Sequence, residues 1–197
     1  MGIPRGVRAA ALIAAAVLLG LLAVQGSYAL WNAAVSSSPG SVSAASFTVN
    51  LTGTSTGQST SMTLAGGQSA VLALTGGATV LTPGTSAYAG VLVGNASDAG
   101  GPFSISLTAA GASIANVGTG SLAAYLSVNA KTAATTTDCA VPTGYSTSVL
   151  TSSLTTAAVP KGGSTVICFQ VSLSPSAPAA VKGQSVNITV PVTAQQL

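Results

Sequence analysis

Chemistry near neutral pH needs side chains that exchange protons, attack electrophiles or ligate metals, and this chain carries few. It contains no His and no Glu; its carboxylates are Asp98 and Asp138 and its thiols Cys139 and Cys168. The many serines therefore lack an imidazole partner, and Lys131, Lys161 and Lys182 are too dispersed to define a Ser-Lys pair. Asp98 and Asp138 fall in separate loops, where turn hydrogen bonds suit them better than paired acid–base work. No catalytic residue is assigned and no enzyme is expected. If the two sulfurs bond to each other, too few ligands remain for zinc. The loop Asn95-Ala96-Ser97-Asp98 offers oxygens either to a weakly held calcium ion or to an Asx turn. No metal site or cofactor is assigned. Asn-x-Ser/Thr sequons begin at Asn50, Asn95 and Asn187, a pattern that arises readily by chance in a Ser/Thr-rich chain.

Cys139 and Cys168 allow one intramolecular pairing, which an exported compartment permits; the alternative is two separately buried thiols. Export itself is read from the N-terminus. Met1 to Arg8 is short and basic, Ala9 to Val24 is uninterrupted apolar sequence, and Ser27-Tyr28-Ala29 places small residues where a signal peptidase reads them. Residues 1–29 are thus expected to form a signal helix and leader, cut between Ala29 and Leu30. A retained anchor is the competing reading, but the apolar run falls short of the roughly 20 residues that span a bilayer. Arg5 and Arg8 are not adjacent, against a twin-arginine signal, and no Cys follows to accept a lipid. Contact with the membrane is expected only through the leader before cleavage, and the mature protein is expected outside the cell or at its surface.

Charge excludes another class. Of 197 residues only five are Lys or Arg and two Asp or Glu, for a net charge of +3. Two of the cations, Arg5 and Arg8, belong to the leader. The isolated lysines left behind are no footprint for nucleic acid, which needs clustered cations to release counterions. Solubility must rest on Ser, Thr, Asn and Gln.

Beyond the leader, apolar residues recur with period two and turn-formers separate the clusters, as strands require. Phe47, Val49 and Leu51 alternate with polar neighbours, Val71 to Leu74 is a short apolar run, and Ala87 to Val93 is a longer one. Phe103, Ile105 and Leu107 follow, which makes Asn95 to Pro102 the expected loop of a hairpin. Tyr125 to Val128 is expected as a strand. Ile167, Phe169, Val171 and Leu173 share one face of another, with Val166, Cys168 and Gln170 opposite. Val186, Ile188, Val190 and Val192 give the clearest alternation, and Pro191 among them places that strand at a sheet edge or turns its missing N–H away from a neighbour. Ser146 to Thr155 fits a strand or a short helix. Thr82-Pro83-Gly84 and Pro160-Lys161-Gly162-Gly163 each precede a long strand, a weak internal echo that Pro-Gly turns alone also explain. The expected fold is all-β, a two-sheet antiparallel sandwich of jelly-roll type over residues 45–197.

Between leader and sandwich, residues 30–44 form a short apolar strand on a flexible tether. Leu30, Trp31, Ala33 and Val35 make up this segment, with Trp31, Ala33 and Val35 on one face, and Trp31 is the only Trp. It either completes an edge of its own sheet or adds to an edge of another subunit.

Ser27-Tyr28-Ala29-Leu30-Trp31-Asn32, then Ala45-Ser46-Phe47-Thr48-Val49-Asn50-Leu51, resembles the cleavage region and first mature strand of the TasA and camelysin group of exported bacterial proteins. Pro83-Gly84 leading to Val93-Gly94-Asn95, and Gly162-Gly163-Ser164 leading to Cys168, are similar to that group's turn-and-strand layout. The resemblance implies a SipW-type signal peptidase as processing partner. It also implies a secreted structural protein, a jelly-roll subunit of extracellular-matrix or cell-surface fibres that self-associates by donating its N-terminal strand. The metalloprotease activity attributed to some of the group is not expected, because no His-Glu-x-x-His helix is present. The alternative is a monomeric secreted adhesin or carbohydrate-binding sandwich, with Tyr88, Tyr125 or Tyr145 as contacts.

Overall fold

A computed structural model describes residues 6–7, 9–10, 12–19, 21, 46–62, 80–98 and 100–197, and the chain divides into two units, Met1–Ser43 and Ala44–Leu197. In the first unit residues 12–19 are helical. Among the described residues, no helix is long and apolar enough to cross a membrane. The cleavage site at Ala29 and Leu30, the segment Trp31, Ala33 and Val35, and the strand expected at Val71 to Leu74 lie outside the described residues.

The second unit is all-β. Its strands are β1 (Val49–Gly53), β2 (Ser59–Ser61), β3 (Ser86–Asn95), β4 (Ser104–Ala110), β5 (Ser113–Asn116), β6 (Leu126–Ala133), β7 (Thr147–Ser148), β8 (Ser153–Thr155), β9 (Val159–Pro160), β10 (Ser164–Leu173), β11 (Val186–Thr189) and β12 (Val192–Gln196). One sheet runs β2-β1-β3-β10-β6-β7; facing it, β4 lies between β12 on one side and β8 and β9 on the other, with β5 and β11 paired beyond. Every pairing is antiparallel. The two inner faces meet in one core. Val49, Leu51, Val91, Val93, Val128, Ala130, Ile167 and Phe169 come from the large sheet, Ile105, Leu107 and Ala109 from β4, and Val192 and Ala194 from β12 pack against them. The chain passes repeatedly from one sheet to the other, as in a jelly roll.

The alternation in the sequence identified inner and outer faces but not which sheet each strand joins. The Asn95–Pro102 segment is not a hairpin loop: β3 pairs with β1 and β10, whereas β4 pairs with β12, β8 and β9. Asn95 to Pro102 therefore crosses between the sheets. Tyr125 ends a 3-10 turn, Leu122–Tyr125, and the strand starts at Leu126. Ser146 to Thr155 resolves into β7 and β8 around a tight turn. The two long strands that follow Pro-Gly turns, β3 and β10, pair with each other at the centre of the large sheet.

Val186 to Val192 keeps its alternation yet is divided at Val190-Pro191. Ala110 faces Pro191 and Ser113 faces Thr189, so Gly111 and Ala112 together oppose Val190. This is a β-bulge, with Gly111 at φ +65° in the left-handed region that a side chain disfavours. Pro191 accepts the Ala110 N–H through its carbonyl and has none to return. Its missing donor thus falls toward β4, where the bulge already interrupts the ladder, and its strand lies at the sheet edge.

Candidate functional site

Two regions of the sandwich could carry function: the outer face of the large sheet and the edge formed by β11 and β12.

The outer face is organised by register. Gly90, Cys168 and Lys131 stand abreast on β3, β10 and β6, and Tyr88, Gln170 and Asn129 form the next row. Cys168 is bonded to Cys139, with Cα atoms 5.1 Å apart, so the pairing read as one of two alternatives is the one formed. Cys139 sits in the 3-10 turn Thr136–Ala140, which the bond straps across the sheet. The strap needs a gap beneath it. A Cβ on Gly90 would lie 2.6 Å from the Cys139 sulfur and 3.1 Å from the Thr54 side chain, so only glycine fits. Cys139, Cys168 and Val166 are buried there, flanked by Leu92, Ala133 and Tyr145.

Lys131 closes the other end of the strap. Its ammonium donates to the carbonyls of Val141 and Thr143, both at 2.8 Å, and lies 4.5 Å from the centre of the Tyr145 ring. Tyr145 donates its hydroxyl to the Cys139 carbonyl at 2.6 Å. Burial, followed by the neighbouring Tyr88, pushes the Tyr145 phenol up to about 12. Tyr88 and Tyr145 pack with ring centres 5.6 Å apart, and Gln170 donates to the Tyr88 hydroxyl at 3.3 Å. Of the three tyrosines proposed as contacts, the fold brings these two together; Tyr125 lies in a different turn.

Neither aspartate is placed for acid–base work. The Asp98 carboxylate accepts the Ser46 N–H, and that bond holds its pKa below the usual carboxylate value. Asp138 accepts the Thr135 N–H at 3.0 Å in a capping box that closes the strap turn, and its pKa is lowered by those Thr135 bonds and then by Lys131. In the Asn95 loop the oxygens considered for calcium are engaged by the protein: Asn95 Oδ1 accepts the Ser97 N–H, and Ser97 Oγ accepts the Thr48 N–H. The Asx-turn reading fits this geometry. Asn95 is also buried, which removes its sequon from the accessible surface.

The second region is backbone. In β12 the residues that bond to β4 are the odd-numbered ones, as fixed by Ala110 N–H to Pro191 and Leu197 N–H to Ser104. In β11 the Val117 N–H to Ser185 bond sets the same phase. The N–H and C=O groups of Val186, Ile188, Val192, Ala194 and Gln196 consequently point outward from the sheet, and among the described residues β11 pairs only with β5 and β12 only with β4. On the other side of β4, Thr156 donates its N–H to the Leu107 carbonyl at 2.9 Å and accepts the Leu107 N–H through its hydroxyl at 3.1 Å. Nothing in the sequence marks this edge except Pro191. Gly90 had no sequence signal, because its role depends on register with Cys168.

Set against protein-family models, curated proteins and solved structures, the chain has no significant match in any of the three.

Proposed function

We propose that this chain is an exported structural subunit, cut between Ala29 and Leu30 by a SipW-type signal peptidase. Its freed segment, Leu30, Trp31, Ala33 and Val35, then adds as a strand to the β11–β12 edge of another copy, building extracellular fibres. The observation that carries this reading is that edge: outward backbone groups from Val186 to Gln196, beside inward-facing Val192 and Ala194. An edge of such length invites strand addition unless something covers it. Supporting it are the leader sequence, the cleavage region's resemblance to the TasA and camelysin group, and a disulfide suited to an oxidising compartment.

The segment supplies what the edge lacks: a strand's backbone, and an aromatic whose area rewards burial. Cleavage would govern when it is free to pair. Removing residues 30–35 from the cleaved protein is expected to abolish filaments while leaving the sandwich folded. Filaments that form equally well without the segment would overturn strand donation.

A further inference from the structure

Beside the disulfide strap lies a groove of about 270 Å³, lined by Thr54 and Ser55 of the β1–β2 turn, Tyr88 of β3, and Thr136, Thr137 and Cys139 of the strap. Its construction is specific. The absent side chain at Gly90 leaves the space that the Thr54 side chain and the Cys139 sulfur share, and the Cys139–Cys168 bond fixes one wall against the sheet. Tyr88 is held by Tyr145 on its flank and by Gln170 at its hydroxyl.

The chemistry of the lining is hydroxyl and aromatic, without charge. Lys131 is occupied by two carbonyls and the Tyr145 ring, and Asp138 is turned to the Thr135 N–H. Such a lining does not favour phosphates, carboxylates or cations. It suits a ligand rich in hydroxyls with an apolar C–H face, because hydroxyls both donate and accept while a tyrosine ring packs against C–H groups. The volume lies below the roughly 300–1,000 Å³ of pockets that enclose drug-sized molecules, so the groove admits a single ring. We propose that this groove binds one unit of a neutral polysaccharide, with Tyr88 as the stacking platform and Thr54, Ser55, Thr136 and Thr137 as hydrogen-bonding partners. The inference does not depend on fibre assembly.

Calorimetric titration of the purified protein with neutral oligosaccharides of glucose, galactose and N-acetylglucosamine tests it. Saturable binding is expected to at least one series, weakened at least tenfold by Tyr88→Ala and by Thr137→Arg, which fills the groove while both tyrosines remain in the chain. Unchanged melting temperature and an intact disulfide in Thr137→Arg separate loss of the site from loss of the fold. The absence of saturable heat with all three series overturns the proposal, as does binding that persists undiminished in Thr137→Arg.

Discussion

At the residue scale, the strap over the large sheet depends on a few side chains that must agree. Cys168 is completely buried beneath it, and Gly90 leaves the room that the Cys139 sulfur occupies. Replacing both cysteines by Ser reopens a loop spanning 29 residues and should lower unfolding free energy by about 3–4 kcal/mol on the chain-entropy estimate, read by chemical denaturation. Gly90→Ala forces a methyl against a sulfur that the disulfide holds in place, and a loss of about 1–3 kcal/mol is expected from the same measurement. The tyrosines give a spectroscopic check. Tyr145, raised to about 12 by burial and Tyr88, should ionise after an ordinary phenol in an alkaline absorbance titration. Its folded pKa lies above its unfolded one, so its contribution to stability is intact below about pH 10 and is lost as pH climbs toward the folded value. Asp98 and Asp138 act at the opposite end: their folded pKa values are lowered, so their contribution holds above the ordinary carboxylate pKa and disappears as pH falls through the folded values.

At the scale of elements, period-two alternation made most strands legible, because it reports directly which side chains face the core. It set Ile167, Phe169 and Val171 on one face of β10 with Val166 and Cys168 on the other, and the structure turns the first face to the main core and the second to the cluster under the strap. Alternation carries no information on pairing partners, and for that reason Asn95 to Pro102 read as a hairpin although it crosses between sheets. The bulge was equally silent in the sequence. Gly111 looks like any turn glycine until Ala110 and Ser113 are seen to face Pro191 and Thr189. The groove is legible only in part: Tyr88 stood out as an aromatic, whereas Thr54 and Thr136 are ordinary members of a Thr-rich chain. The edge yields its own prediction. The Ala194 N–H points away from β4, so Ala194→Pro removes an outward donor without taking one from the ladder. It should suppress polymerisation in a light-scattering assay while the monomer keeps its far-UV circular dichroism. Thr193→Pro, whose N–H faces β4, should instead destabilise the fold.

At the scale of the whole molecule, the near absence of charge and of titratable side chains fits a protein whose work is done by backbone, hydroxyls and shape. A sandwich with a turn strapped to its outer face by a disulfide supplies a folded body with its own core. In the proposed function, the outward-facing edge is where it is extended and cleavage of the leader sets when extension begins. The central claim is that the segment released by cleavage after Ala29 joins one copy to the β11–β12 edge of the next. Electron microscopy of the protein starting at Leu30, compared with a form starting at Ser36, tests it most directly. The account predicts ordered filaments from the first and dispersed particles from the second; filaments from both, or dispersed particles from both, would contradict it.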